Sequence, residues 1–283
     1  GGASSQFYMI PYNLLGKTEL ACYLKTGTWA KKAAKEAELF GITKVVASSE
    51  DKNFNFIPRD YSLPEDYKYF HITSNNTIFG TQLKEFPKIE GTLICDMSSD
   101  IFSRNINAAD FGLIYAGAQK NLGPAGTTLV ILDENVVGKV SHDIPTMIDY
   151  RTHINKGSMF NTPPVFSIYV CMLTLRWIKE LGGLSAMEKR NRQKADLLYN
   201  AIDNLDSFYG TAHKDDRSDM NVTFRLHDDS KEEELFSFLT EHDIVGIKGH
   251  RSVGGFRASI YNAMEQSSVQ HLVNLMEDFD KRN

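Results

Sequence analysis

The chain has only three cysteines in 283 residues, and Cys22, Cys95 and Cys171 lie far apart, each inside an apolar segment. That distribution offers no disulfide framework and suits reduced core thiols, so the expected compartment is the cytoplasm. No apolar run is long enough to span a bilayer, and Gly1 opens into glycine and serine without the basic and apolar regions of a signal peptide. An initiator methionine is also missing, from which the loss of an N-terminal segment is expected. Clusters of lysine and arginine are absent. With 31 basic residues against 36 acidic ones, the net charge is -5 and the sequence pI near 5.9, which gives no long-range attraction for nucleic acid.

What is present is ordinary for a soluble globular protein: 42% hydrophobic and 24% charged residues, in a length that suits one large or two ordinary domains. Short apolar runs alternate with helical stretches through residue 132, the pattern of an α/β domain whose mostly parallel sheet is covered by helices. A polar stretch over 149–161 reads as a loop, and Thr162-Pro163-Pro164 leads into a long apolar helix over 165–181, closed by Gly182-Gly183. Ser185-Ala186-Met187-Glu188 and Ser230-Lys231-Glu232-Glu233 read as capping boxes that start two further helices. Strands are expected at 221–224, 244–247 and 255–261, and a last helix at 266–279, which together make a smaller C-terminal α+β domain. The division is placed at 1–180 and 181–283.

The chain is organised around Tyr115-Ala116-Gly117-Ala118-Gln119-Lys120-Asn121-Leu122-Gly123-Pro124-Ala125-Gly126. A strand-like run over 111–116 delivers Lys120 into a turn, and a second apolar run follows over 127–132. No other charged residue lies between Asp110 and Asp133. Small, apolar surroundings disfavour an ammonium ion, the condition under which a lysine amine becomes a nucleophile able to form a Schiff base. The local residues fit a strand-end lysine reaching into water equally well.

Other positions carry weaker signals. Gly1-Gly2-Ala3-Ser4-Ser5 ahead of an apolar segment can turn tightly and present amides to a phosphate, or can simply start a helix. Pro11-Tyr12-Asn13-Leu14-Leu15-Gly16-Lys17-Thr18 has the end of a nucleotide-binding P-loop, but Pro11 stands where that motif needs glycine. Trp29 sits where a strand over 19–24 passes to an alanine-rich helix ending near Phe40, a rim on which α/β sheets bind ligands; taken alone, the position suits a core tryptophan better. Asp96 follows the apolar strand 91–95 and serves either as a cap or as a site residue. The polar stretch 74–80 has the composition of a turn. Lys248-Gly249-His250-Arg251-Ser252-Val253-Gly254-Gly255-Phe256-Arg257 gathers cations among glycines, as an anion site or a solvated hairpin tip.

A phosphate loop, a stacking aromatic, an acid at a strand end and a withdrawn lysine are together what pyridoxal 5'-phosphate (PLP) requires. Ala116-Gly117-Ala118-Gln119-Lys120-Asn121, Asn161-Thr162-Pro163-Pro164 and the run from Gly249 through Arg257 to Ala263 closely resemble the phosphoserine aminotransferases, class V transaminases of PLP fold type I. The resemblance covers essentially the whole chain. It implies that Lys120 forms the Schiff base with PLP, Asp96 pairs with the pyridine nitrogen, and Trp29 stacks on the ring. Ala3, Ser4 and Gln119 fall near the phosphate and Thr77 near the ring's phenolic oxygen. Asn161 and Thr162 reach the phosphate of a neighbouring subunit's cofactor, which implies a homodimer with shared active sites. Arg257 is expected to hold the substrate α-carboxylate, with His250 and Arg251 for the distal phosphate or the glutamate side chain. The implied reaction passes the amino group of L-glutamate to 3-phosphohydroxypyruvate, giving O-phospho-L-serine and 2-oxoglutarate in serine biosynthesis. The phosphorylated hydroxythreonine precursor of pyridoxine biosynthesis is a possible second substrate, and a His-Arg pair that the family places before the phosphate loop has no counterpart here. Two rivals stand beside this expectation: another type I enzyme such as a cysteine desulfurase, which needs a reactive cysteine on a mobile loop, and a non-catalytic dimeric relative. No metal site is expected.

Overall fold

The computed structural model describes residues 2–282. A turn of 3-10 helix at Ala3–Ser5 runs straight into α1 (Gln6–Leu14), followed by β1 (Leu20–Lys25), α2 (Thr28–Ala37), β2 (Ile42–Ser48) and β3 (Tyr69–Thr73). A small hairpin, β4 (Asn75–Asn76) and β5 (Thr81–Gln82), precedes β6 (Leu93–Asp96), β7 (Leu113–Gly117) and β8 (Thr128–Leu132). Helices α3 (Tyr150–Asn155), α4 (Val165–Glu180) and α5 (Gly183–Asn204) lead to β9 (Phe208–Gly210), β10 (Asn221–Leu226), α6 (Glu232–Glu241), β11 (Phe256–Ser259) and α7 (Gln266–Asp280).

The larger sheet has the order β2-β1-β3-β6-β7-β8, parallel throughout except for β8, which runs antiparallel to β7. Its central strands are buried on both faces, which explains their unbroken apolar runs. Side chains alternate between two cores. Cys22, Leu24, Phe70, Ile72 and Cys95 point to one face, and Ala21, Tyr23, Tyr69, Ile94 and Tyr115 to the other, beneath α1 and α2. Ala30, Ala33, Ala34 and Ala37 form the buried stripe of α2, and their small size lets that helix lie close to the sheet. Among the described residues, no helix is long and apolar enough to cross a membrane.

The second sheet, β11-β10-β9, is antiparallel and packs with α5, α6 and α7 around Leu198, Phe224, Leu235 and Met276. Polar contacts tie it to the first. Asn75 Nδ2 donates to Asn221 Oδ1 at 2.9 Å, and the Asn262 amide donates to Asn121 Oδ1 at 3.0 Å. Gly80 lies at φ +73°, and a Cβ there would collide with Thr223 Oγ1, so the β4–β5 hairpin reaches the second sheet only with glycine at that position.

Several expected elements differ in the structure. The stretch 149–161 is not all loop, because the Asp149 carboxylate accepts from the Arg151 amide and starts α3. Helix α2 ends at Ala37, ahead of Phe40. Neither capping box forms: α5 already begins at Gly183, where Ser185 accepts from Asn105 Nδ2 at 2.9 Å, and ahead of α6 the cap falls on Asp228, which accepts from the Ser230 amide. Residues 244–247 are not a strand. Gly246 turns at φ +71° and Val245 is exposed, leaving a single bridge, Lys248 to Phe256. The cationic segment therefore joins a loop to β11 rather than two strands. Strands β4, β5 and β9 went unforeseen, being only two or three residues long, too short to carry a hydrophobic period of their own.

Candidate active site

The parallel strands finish on one rim, and there β3, β6 and β7 deliver Thr73, Asp96 and the turn carrying Lys120. The cleft they border is lined by Gly2, Ala3, Ser4, Phe7, Trp29, Thr73, Asn75, Thr77, Asp96, Ser98, Ser99, Gln119 and Lys120. It holds about 510 Å³ of space outside protein atoms, its open mouth included.

Lys120 is held by its turn rather than extended into water. The amides of Leu122 and Gly123 both donate to the Ala118 carbonyl, and the Lys120 ammonium donates to Thr77 Oγ1 at 2.8 Å. Burial pushes the Lys120 pKa below its ordinary value and outweighs the opposing pull of Asp96, while Arg257 adds to the depression. Asp96 is 6% exposed, at the end of β6, and accepts from the Ser98 amide at 2.9 Å. It is thus a local cap and a cleft residue at once. Burial raises its pKa, and no lysine or arginine pairs with it directly among the described residues.

Of the residues singled out in the sequence, Ala3, Ser4, Trp29, Thr77, Asp96, Gln119 and Lys120 share this cleft. Arg257 touches its wall, donating from Nη1 to the Thr77 carbonyl at 3.4 Å. His250 and Arg251 do not line it: the first bonds Ser252 Oγ through Nδ1 at 2.7 Å and the second is exposed. Asn161 and Thr162 are exposed ahead of α4. Gly1 lies outside the described residues. Phe7, Thr73, Asn75, Ser98 and Ser99 also line the cleft and had not been singled out for it; the one signal was the run of hydroxyl and amide residues flanking Thr77 and Asp96.

Three comparisons with known proteins agree. The chain is 56% identical over 282 residues to phosphoserine aminotransferase of Flavobacterium psychrophilum, covering 100% of itself and 79% of that protein. For Parabacteroides distasonis phosphoserine aminotransferase the figures are 55% over 285 residues, 100% and 80%. The class-V aminotransferase profile matches residues 1–272. The chain belongs to the class-V aminotransferases. The solved phosphoserine aminotransferase of Bacillus circulans subsp. alkalophilus superposes with a TM-score of 0.97 at 49% identity, over 100% of this chain and 79% of that one. The PLP-bound enzyme of Trichomonas vaginalis gives 0.92 at 38%, over 98% and 80%.

The residues present fit PLP, the cofactor of this family. Trp29 Nε1 and Thr73 Oγ1 are buried atoms with no hydrogen-bond partner among the described residues, as expected where a polar ligand completes the site. Asp96, raised by burial, lacks the close cation that a protonated pyridine nitrogen would provide. At the other end of the cleft, the amides of Ala3 and Ser4 precede the first turn bond, from the Ser5 amide to the Gly2 carbonyl at 3.0 Å. They open a continuous helical segment and suit a phosphate. Cys22, Cys95 and Cys171 are free and buried, and burial raises all three thiols. A desulfurase nucleophile would need the opposite. Among the described residues there is no cluster of metal ligands.

Proposed function

We propose that this PLP-dependent transaminase moves the amino group of L-glutamate to 3-phosphohydroxypyruvate, giving O-phospho-L-serine and 2-oxoglutarate. The observation that carries the proposal is the Lys120 amine, drawn toward its neutral form by burial inside a cleft that also holds Asp96. When bound, PLP supplies an aldehyde that condenses with amines and a ring that withdraws electrons from the carbon bearing the amine. A neutral Lys120 Nζ can take a proton from that carbon and return one in the reverse direction, with Thr77 Oγ1 steering it. Asp96 would hold the pyridine nitrogen and Trp29 cover the ring, while Ala3, Ser4 and Gln119 would take the phosphate. Arg257, already against Thr77, is our choice for the substrate α-carboxylate. His250 and Arg251 are assigned to the distal phosphate or the glutamate side chain, an assignment that requires their loop to approach the cleft.

A homodimer is supported by α4. The helix is apolar nearly all round yet buries only Ser167, Cys171 and Ile178, leaving Val165 67% and Phe166 73% exposed. Such a face needs a cover, and Asn161 and Thr162 at its edge would then reach the neighbour's phosphate site. The separate core of α5, α6 and α7 supports domains of 1–180 and 181–283, and the three reduced thiols support a cytoplasmic setting.

The test is amino transfer from glutamate to 3-phosphohydroxypyruvate, followed as phosphoserine formed, with the phosphorylated hydroxythreonine precursor's 2-oxo acid as competing acceptor. Failure of both acceptors, with PLP bound, would overturn the assignment. Phe166→Asp should yield monomers in sedimentation; an unchanged mass would remove the dimer.

A further inference from the structure

The face of the large sheet beneath α1 carries a row of buried polar groups that ends at the cleft. Asp96 and Tyr115 are register partners on β6 and β7, and Thr73 is the partner of Asp96 on β3. The Tyr115 hydroxyl faces the Asp96 carboxylate, whose negative charge adds to burial in raising the phenol's pKa. On its other side, the hydroxyl lies 3.0 Å from His71 Nε2. His71 is 1% exposed, and Tyr23 stacks on it with ring centroids 5.0 Å apart. Tyr23 is itself engaged with Tyr69, their hydroxyls 2.7 Å apart. Among the described residues, His71 Nδ1 has no well-formed hydrogen bond, its one nearby acceptor being the backbone of His71 itself. Among the described residues, Asp96 is the carboxylate acting on this cluster, with the Cys95 thiol and the Tyr150 hydroxyl as its other titratable neighbours, and burial holds His71 neutral by lowering its pKa to about 3.

A neutral imidazole has one N–H, and a phenol has one proton to donate. If Nε2 carries the hydrogen, it donates to Tyr115 Oη, and the tyrosine proton is left for the Asp96 carboxylate. If Nδ1 carries it, the tyrosine must donate to Nε2 and Asp96 loses that donor. Ser98, through its amide and its hydroxyl, would then be the one residue donating to a buried carboxylate. We propose that His71 is a positioning residue for Asp96, its Nε2–H turning the Tyr115 hydroxyl onto the carboxylate and thereby fixing the acid's aim and its charged form in the cleft.

The inference rests on the assignment of Asp96 to the cofactor, and its test separates the two. Nitrogen-15 spectra of the histidine-labelled apoprotein, with His71 assigned by its loss in His71→Gln, should show a neutral Nε2–H tautomer from pH 5 to 9 and a displaced Nε2 signal in Tyr115→Phe. An Nδ1–H tautomer, or titration near pH 6.5, would overturn the proposal without reference to catalysis. In the holoenzyme, His71→Phe and Tyr115→Phe should each weaken PLP binding about tenfold, with the double variant no worse than either. His71→Gln, which keeps a donor near the same place, should recover most of the loss. Additive losses would show that the residues merely pack. If no variant binds PLP and neither does the parent, the cofactor assignment fails while the apoprotein spectra still decide the hydrogen-bond direction.

Discussion

Two lysines are withdrawn from water in two regions of this molecule, and they are held in opposite ways. Lys194, on α5, is fully buried and donates to two carbonyls, Ile260 at 2.9 Å and Tyr261 at 2.7 Å, in the segment after β11. Lys120 meets one neutral hydroxyl, Thr77, on the wall of a cleft. Burial lowers both pKa values, Lys194 to about 8. The difference lies in what remains for a ligand. Lys194 spends its donors on backbone carbonyls, that of Ile260 and that of Tyr261, the second of which also accepts from the Met264 amide, which is a structural role. Lys120 keeps its amine facing open space, which is a chemical one.

The comparison can be broken from either end. Lys120→Ala should lower transamination by about 10³-fold or more while leaving the urea midpoint of the apoprotein nearly unchanged; a large stability loss would make Lys120 a second Lys194. Lys194→Ala should do the reverse, costing about 3 kcal/mol of stability by removing the Lys194 bond to the Ile260 carbonyl and opening a cavity, with kcat within about threefold of the parent. The pH response sharpens the contrast. Between about 8 and 10.5 the folded chain releases a proton from Lys194 that the unfolded chain still holds, so the unfolded state binds more protons and stability rises with pH. Urea titrations at pH 7.5 and 10 should show that gain in the parent relative to Lys194→Met, and parallel behaviour would refute it. The smallest effect is expected from Thr77→Val. Losing the acceptor removes a bond to the ammonium form, so the Lys120 pKa should drop further, by less than about one unit, read as the pH dependence of amine acylation in the apoprotein.

Much of the fold was legible because the strands of the parallel sheet are covered on both faces and so appear as uninterrupted apolar runs, as in Leu20–Lys25 and Leu113–Gly117. Lys120, Asp96 and Trp29 stood out as residues whose type clashed with an apolar neighbourhood or fell at a strand end. Capping serines misled because a cap is chosen by what stands beside it: Gly182, at φ +103°, turns the chain before Ser185 can. The strand expected at 244–247 has suitable residues, but the loop turns at Gly246 and leaves only the bridge from Lys248 to Phe256. The partners of His71 were invisible for a related reason. Tyr23, Tyr69 and Tyr115 are scattered along the chain and meet only once β1, β3, β6 and β7 lie side by side.

The amino-acid order settled the long strands and helices and which side chains are chemically out of place, since hydrophobic period and local charge are properties of neighbours along the chain. Which of those side chains share a cleft was settled only by folding. Thr77 and Lys120 stand 43 positions apart, and the amine finds its one hydroxyl because parallel strands bring their carboxyl ends to a common rim.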